Sequence, residues 1–114
     1  MDLLTYLPNE GQADAFAREL FPGLDPPWNR ALTSQQEATL WAELEPSLDS
    51  RDPALHARVM FGCEADGIPT HTGYTLGYRI VRAYLARHPG TRVRELIGRE
   101  ARAILAASGY GGSA

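Results

Sequence analysis

The stretch that decides the fold is GYTLGYRIVRAYLARH, residues Gly73–His88. Leu76, Ile80, Val81, Tyr84 and Leu85 recur at the three- and four-residue intervals that place side chains on one face of an α-helix. Pro89-Gly90 stops the pattern. Gly73 and Gly77 sit four residues apart near its start, where glycine costs helix stability. That spacing predicts a close approach by another backbone. Toward the C-terminus, Thr91 caps a further helix with Val93, Leu96 and Ile97, and Gly98 interrupts it. Ala101, Ile104 and Leu105 then form a last amphipathic turn or two. Residues 109–114, GYGGSA, read as a flexible tail from which Tyr110 is able to dock.

Toward the N-terminus, residues 61–72 form a loop punctuated by Gly62, Gly67 and Pro69. A short helix runs from Pro53, at the first helical position, to about Met60. Thr33-Ser34-Gln35-Gln36 fits a capping box, and it opens a helix striped by Leu40, Trp41 and Leu44 and limited by Pro46. Pro22, Pro26 and Pro27 make the connection around Trp28 irregular. Before it, Ala13, Phe16, Ala17 and Leu20 predict an amphipathic helix over 9–21, capped by Asn9, with that stripe turned inward. No segment alternates with period two. The expected fold is all-α, a single domain of about five helices over residues 1–108.

Composition excludes several classes. The 114 residues contain one cysteine, Cys63, so there is no disulfide framework and no cysteine-based zinc knuckle. A reducing, cytoplasmic setting is the default for such a chain. No apolar run approaches the length a bilayer demands, and MDLLTYLPNEGQ carries no basic leader region. Residues 1–66 hold twelve acids and four arginines, and residues 67–114 hold seven arginines and two acids. The halves therefore carry −8 and +5 within a net charge of −3. The arginines between 79 and 102 fall mainly on the polar sides of amphipathic helices, and the acidic total argues against nucleic acid as a partner.

Few residues are equipped for chemistry. None of His56, His71 and His88 pairs with another at the i, i+4 spacing of a helical metal site, and no HExxH or phosphate-binding loop occurs. His88, at a helix C-terminus, complements the helix dipole. His56 reads as a surface residue. His71 lies in Ile68–Tyr74, a loop that brings polar groups to a helix start. Glu10 reads either as a carboxylate stabilised by the dipole of its own helix or as a metal ligand or buried acid at the rim of a cleft.

Two blocks together carry a resemblance. Leu3–Ala17, with LLTYLPNEGQADAFA, resembles a leucine-rich helix followed by EGLAxxFA. Ile68–Val81, IPTHTGYTLGYRIV, with Tyr84-Leu85 and His88-Pro89 after it, resembles IPxWxGYxLGYxIVxxYLxxHP. Both belong to a family of predicted zinc-dependent proteases found in many bacteria. Pro27-Trp28, Ile104-Leu105 and Ser108–Tyr110 also fit it, so the resemblance spans essentially the whole chain.

The resemblance implies zinc-dependent hydrolysis of a peptide or protein substrate at a His₂Glu site. An HExxH helix would supply two ligands and the EGxA glutamate the third, and Glu10 is the residue that falls on that position. Tyr74 and Tyr78 match GYxLGY, where a tyrosine serves either as a hydrogen-bond donor to an oxyanion or as a packing residue. His71 stands where the family usually has an aromatic residue. The HExxH helix is absent from these 114 residues. What is expected is therefore the C-terminal half of a metallopeptidase-like domain, catalytically incomplete alone and without zinc by itself. The alternative is a non-enzymatic helical interaction module. Without the upstream helices, Ala13, Phe16, Ala17 and Leu20 form a patch whose expected fate is burial in a homodimer.

Overall fold

Asp2 starts the fold. In the computed structural model, which describes residues 1–112, its carboxylate accepts hydrogen bonds from the Thr5 amide at 2.9 Å and the Thr5 hydroxyl at 2.6 Å. These bonds hold the Asp2 carboxyl below its ordinary value. The capped helix is α1, Leu3–Leu20, which begins six residues before the expected Asn9 cap and runs through Pro8. A proline inside a helix costs roughly 3 kcal/mol. Leu3, Leu4 and Leu7 are fully buried, and each such side chain contributes about 1.5–3 kcal/mol, so burial outweighs the break. The first amides of α1 are satisfied from outside: Leu3 N–H donates to Ser50 O and Leu4 N–H to Leu48 O, both at 2.9 Å.

The buried face of α1 is not the one its large apolar residues mark. Leu3, Leu4, Leu7, Pro8, Gly11 and Ala15 face the core. Phe16 is 43% and Leu20 58% exposed, and Ala13 is exposed too. The expectation that Ala13, Phe16, Ala17 and Leu20 point inward is thus corrected. The reason lies in what α1 packs against.

That partner is α4, Thr72–Arg87, whose Leu76, Ile80 and Val81 are fully buried. The backbones of the two helices nearly touch. A methyl group on Gly77 would overlap the Leu7 carbonyl oxygen, and one on Gly11 would overlap the Gly77 carbonyl. Contact this close needs small residues on both sides, so the Gly11–Ala15 face wins over the Phe16–Leu20 face. The close approach predicted at Gly73 and Gly77 is present, with Gly73 against Met60. Residue numbers rise together along the α1–α4 contact, from Glu10 beside Tyr74 through Gly11 at Gly77 to Ala15 and Glu19 beside Arg82 and Leu85.

The other elements pack around this pair. In α2, Ser34–Leu44, Thr33 and Gln36 form the expected capping box, and Leu40, Trp41 and Leu44 are buried. In α3, Pro53–Phe61, Asp52 is the cap and Pro53 the first helical residue. In α5, Ala101–Ser108, Ile104 and Leu105 are buried. The helix expected from Thr91 is only a 3₁₀ turn, Val93–Leu96. Ile97 leaves it in an extended conformation and is 73% exposed. Further 3₁₀ turns occupy Pro27–Asn29, Glu45–Ser47, Glu64–Asp66 and Tyr110–Gly112. Among the described residues there is no strand, only an isolated antiparallel bridge between Cys63 and Ile68. No helix of the described residues is long and apolar enough to cross a membrane.

Tyr110 docks on α2. Its ring meets Trp41 edge-on at 4.9 Å, and its hydroxyl donates to Glu37, which also pairs with Arg79 of α4. Of the tail expected over 109–114, residues 113 and 114 lie outside the described residues.

Candidate functional site

Glu10, on the flank of α1 beside its buried face, lines a cavity of about 370 Å³. Tyr6 of α1, Met60 and Phe61 of α3 and Tyr74 of α4 form most of its apolar wall. His56 and Arg51 complete its polar lining.

Tyr74 is half-buried between two rings, Phe61 at 6.1 Å and His71 at 5.8 Å. Desolvation raises its phenol above the ordinary tyrosine value, and the negative charges of Glu10 and then Asp14 raise it further. A phenol so placed keeps its proton at neutral pH, and Tyr74 lines the cavity. Asp14 follows Glu10 by one helical turn, and desolvation raises its carboxyl as well. It accepts the Trp28 indole N–H at 3.2 Å. Thr75 fixes that loop from below: its hydroxyl donates to Trp28 O at 2.7 Å and accepts Ala31 N–H at 3.0 Å.

The structure therefore separates the two tyrosines of GYxLGY. Tyr74 meets Glu10 at the cavity. Tyr78 is 7% exposed, and its hydroxyl accepts a hydrogen bond from Arg18 at 2.9 Å, away from Glu10. His71 caps α4 in the left-handed region at φ 65°, the one residue other than glycine there among those described. Its ring touches Tyr74 edge-on. His88 stacks on Tyr84 at 4.3 Å, and its Nδ1 is 2.9 Å from Tyr84 O, outside the cavity.

His56 corrects the reading of a surface residue. It is 6% exposed, its Nε2 lies 2.7 Å from Ser50 O, and its ring packs edge-on against Tyr6 at 5.1 Å. A carbonyl oxygen only accepts, so Nε2 carries a proton. The signal for His56 was in the sequence: Pro53, His56, Ala57, Met60 and Phe61 share one face of α3 at helical spacing. Arg51 and Tyr6 had no such signal, because their part in the cavity follows from where the chain turns before α3.

The zinc implied by the resemblance requires more ligands than this cavity offers. Among the described residues no group of three His, Cys, Asp or Glu side chains is placed to hold a metal ion. Glu10 is a lone carboxylate here, and a lone carboxylate does not retain a catalytic zinc. These residues alone do not fit the metal.

An all-helical domain that presents a carboxylate and a protonated phenol in one apolar-walled cavity is the class this fold and site define. The sequence model of the family described as predicted Zn-dependent protease (DUF2268) matches residues 1–106, and the chain belongs to that family. Neither a curated protein nor a solved structure gave a match.

Proposed function

We propose that this chain forms the substrate-facing wall of a zinc-dependent peptidase cleft, with Glu10 and Tyr74 as its working side chains. The observation that carries the reading is their meeting in one cavity of a chain that belongs to a predicted Zn-dependent protease family. Glu10 is the carboxylate offered to the metal, and the remaining ligands come from outside residues 1–112. Tyr74 offers a hydrogen bond to the substrate carbonyl as negative charge develops on it. The proposed setting is the cytoplasm, in keeping with the free thiol of Cys63.

The test is to isolate the polypeptide bearing these residues from its source and measure its intact mass, zinc content and peptide hydrolysis. The polypeptide is expected to hold zinc only where histidines are supplied from outside these residues. In that polypeptide Glu10→Ala loses zinc while helical circular dichroism persists. Tyr74→Phe keeps zinc and lowers kcat by roughly 10²-fold, as removal of an oxyanion donor does. Zinc retained in full by Glu10→Ala would sink the proposal.

A second reading has its own observation. Phe16, Leu20, Phe21 and Leu24 leave an exposed apolar face on the outer side of α1 and the loop after it. On this reading the chain is a helical interaction module that self-associates through that face. Sedimentation of residues 1–114 decides it: a dimer that Leu20→Asp converts to monomer supports the module, and a monomer at high concentration disposes of it.

A further inference from the structure

The cavity at Glu10 is a groove between α1 and α3. Pro53, His56 and Met60 of α3 face Tyr6 and Glu10 of α1 across it. The ring contacts orient the groove, with Tyr6 beside His56 early in α3 and Tyr74 beside Phe61 at its end. Glu10 and Tyr74 thus lie at one end and Arg51 at the other. From Pro53 to Met60 an α-helix rises about 10 Å. An extended peptide covers that distance in about three residues.

The polar groups along the groove have a definite sense. Arg51 is exposed and carries no ion pair among the described residues. The neighbouring Asp52 carboxylate is committed to capping α3 through the Ala54 amide. His56 is 6% exposed and donates from Nε2 to Ser50 O. Glu10 is the acceptor at the near end. The groove therefore offers a carboxylate acceptor for peptide N–H groups at one end and one unpaired guanidinium at the other. Between them lie apolar surfaces of Tyr6, Met60 and Phe61.

A peptide's carboxy-terminal end has the complementary pattern: N–H donors, apolar side chains, and a terminal carboxylate matched by arginine. We propose that the groove seats the last two or three residues of a peptide, with the α-carboxylate on Arg51 and bulky apolar side chains against Met60 and Phe61. Where this rests on the peptidase reading, it makes substrates those cut near their carboxyl end. The binding itself needs no metal.

The experiment titrates residues 1–114 with N-acetyl-Ala-Leu-Phe as the free acid and as the carboxamide, followed by amide chemical shifts. The acid is expected to bind about tenfold more tightly than the amide, the scale of one charge-assisted hydrogen bond. Arg51→Ala removes the difference, and Arg51→Lys restores part of it. Shifts are expected at Tyr6, Met60 and Tyr74. Equal affinity for acid and amide, an unchanged preference in Arg51→Ala, or no binding of either peptide at millimolar concentration overturns the proposal. The two readings fail separately. Arg51-dependent binding in a polypeptide that hydrolyses nothing removes only the peptidase. Hydrolysis indifferent to a terminal carboxylate removes only the groove assignment.

Discussion

Gly77→Ala sets two large effects against each other. Replacing glycine by alanine inside a helix gains about 1 kcal/mol from propensity alone. In α4 the added methyl would overlap the Leu7 carbonyl oxygen and crowd the Leu7 Cα as well. Both obstacles are backbone, so no rotamer change relieves them, and α1 must move away from α4. Overpacking costs typically 1–3 kcal/mol where side chains yield, and backbone on both sides puts this case at the upper end or above it. Separating the helices also loosens Leu4, Leu7 and Ala15, which are buried. The net expectation is destabilisation of about 2–4 kcal/mol, a large share of the 5–15 kcal/mol typical of a domain. Urea unfolding followed by helical circular dichroism measures it, with Gly23→Ala as control. Gly23 has open space around its would-be side chain, so its substitution is expected to stay within about 0.5 kcal/mol of the parent. A Gly77→Ala protein as stable as the parent, or more so, would refute the close-contact account of the fold.

Three further outcomes are expected. Tyr110→Phe removes a hydrogen bond to a charged acceptor but leaves Glu37 paired with Arg79, so unfolding free energy drops by about 1.5 kcal/mol in the same assay. The Asp2 carboxyl is held below 3.8 by the Thr5 bonds, so its contribution is complete above that pH and lost as pH falls through the depressed value. Asp2→Asn should therefore flatten the acid limb of the stability profile, and a limb unchanged in slope would contradict the cap. Glu10→Gln should lower the titration of the Tyr74 phenol toward its ordinary value, read as phenolate ultraviolet absorbance against a Tyr74→Phe background. If the Tyr74 titration stays where it was, the two groups are not electrostatic neighbours.

The sequence made some elements plain and hid others, for physical reasons. Capping and first-turn signals are local, so Thr33–Gln36 and Pro53 placed α2 and α3 correctly. The α4 stripe is large and apolar, and it lies where the core is. In α1 the same criterion selected the wrong face. Hydrophobic periodicity weighs Phe16 and Leu20 above Gly11 and Ala15, yet a helix crossing at backbone contact selects for smallness. The clue was indirect: a close approach at Gly77 demands a small partner, and Gly11 was available. Pro8 hid the start of α1 because its local cost is visible in sequence while the burial that offsets it is not. Of the residues that line the cavity, Glu10 and Tyr74 were singled out in sequence, Tyr74 as one of two tyrosines. Which tyrosine faces Glu10 was not legible, because that depends on how α4 is rotated against α1. His56 read as a surface residue on a short helix, whereas it is buried against a backbone carbonyl and Tyr6.

The contact between Leu7 and Gly77 also sets a timetable for the nascent chain. The two residues are about 70 positions apart, so the helix that carries Glu10 finds its main support only after about 70 further residues have been made. At roughly 5–20 residues per second, that is a wait of about 4–14 seconds on the ribosome. With Pro8 and Gly11 inside it, the first helix is a poor autonomous helix during this interval. Its leucines remain exposed to water and to whatever binds unfolded chains. The cavity at Glu10 needs α3 and α4 as well as α1, so it forms only then, and a substitution that slows this docking lengthens the interval in which the nascent chain is open to aggregation and to proteases.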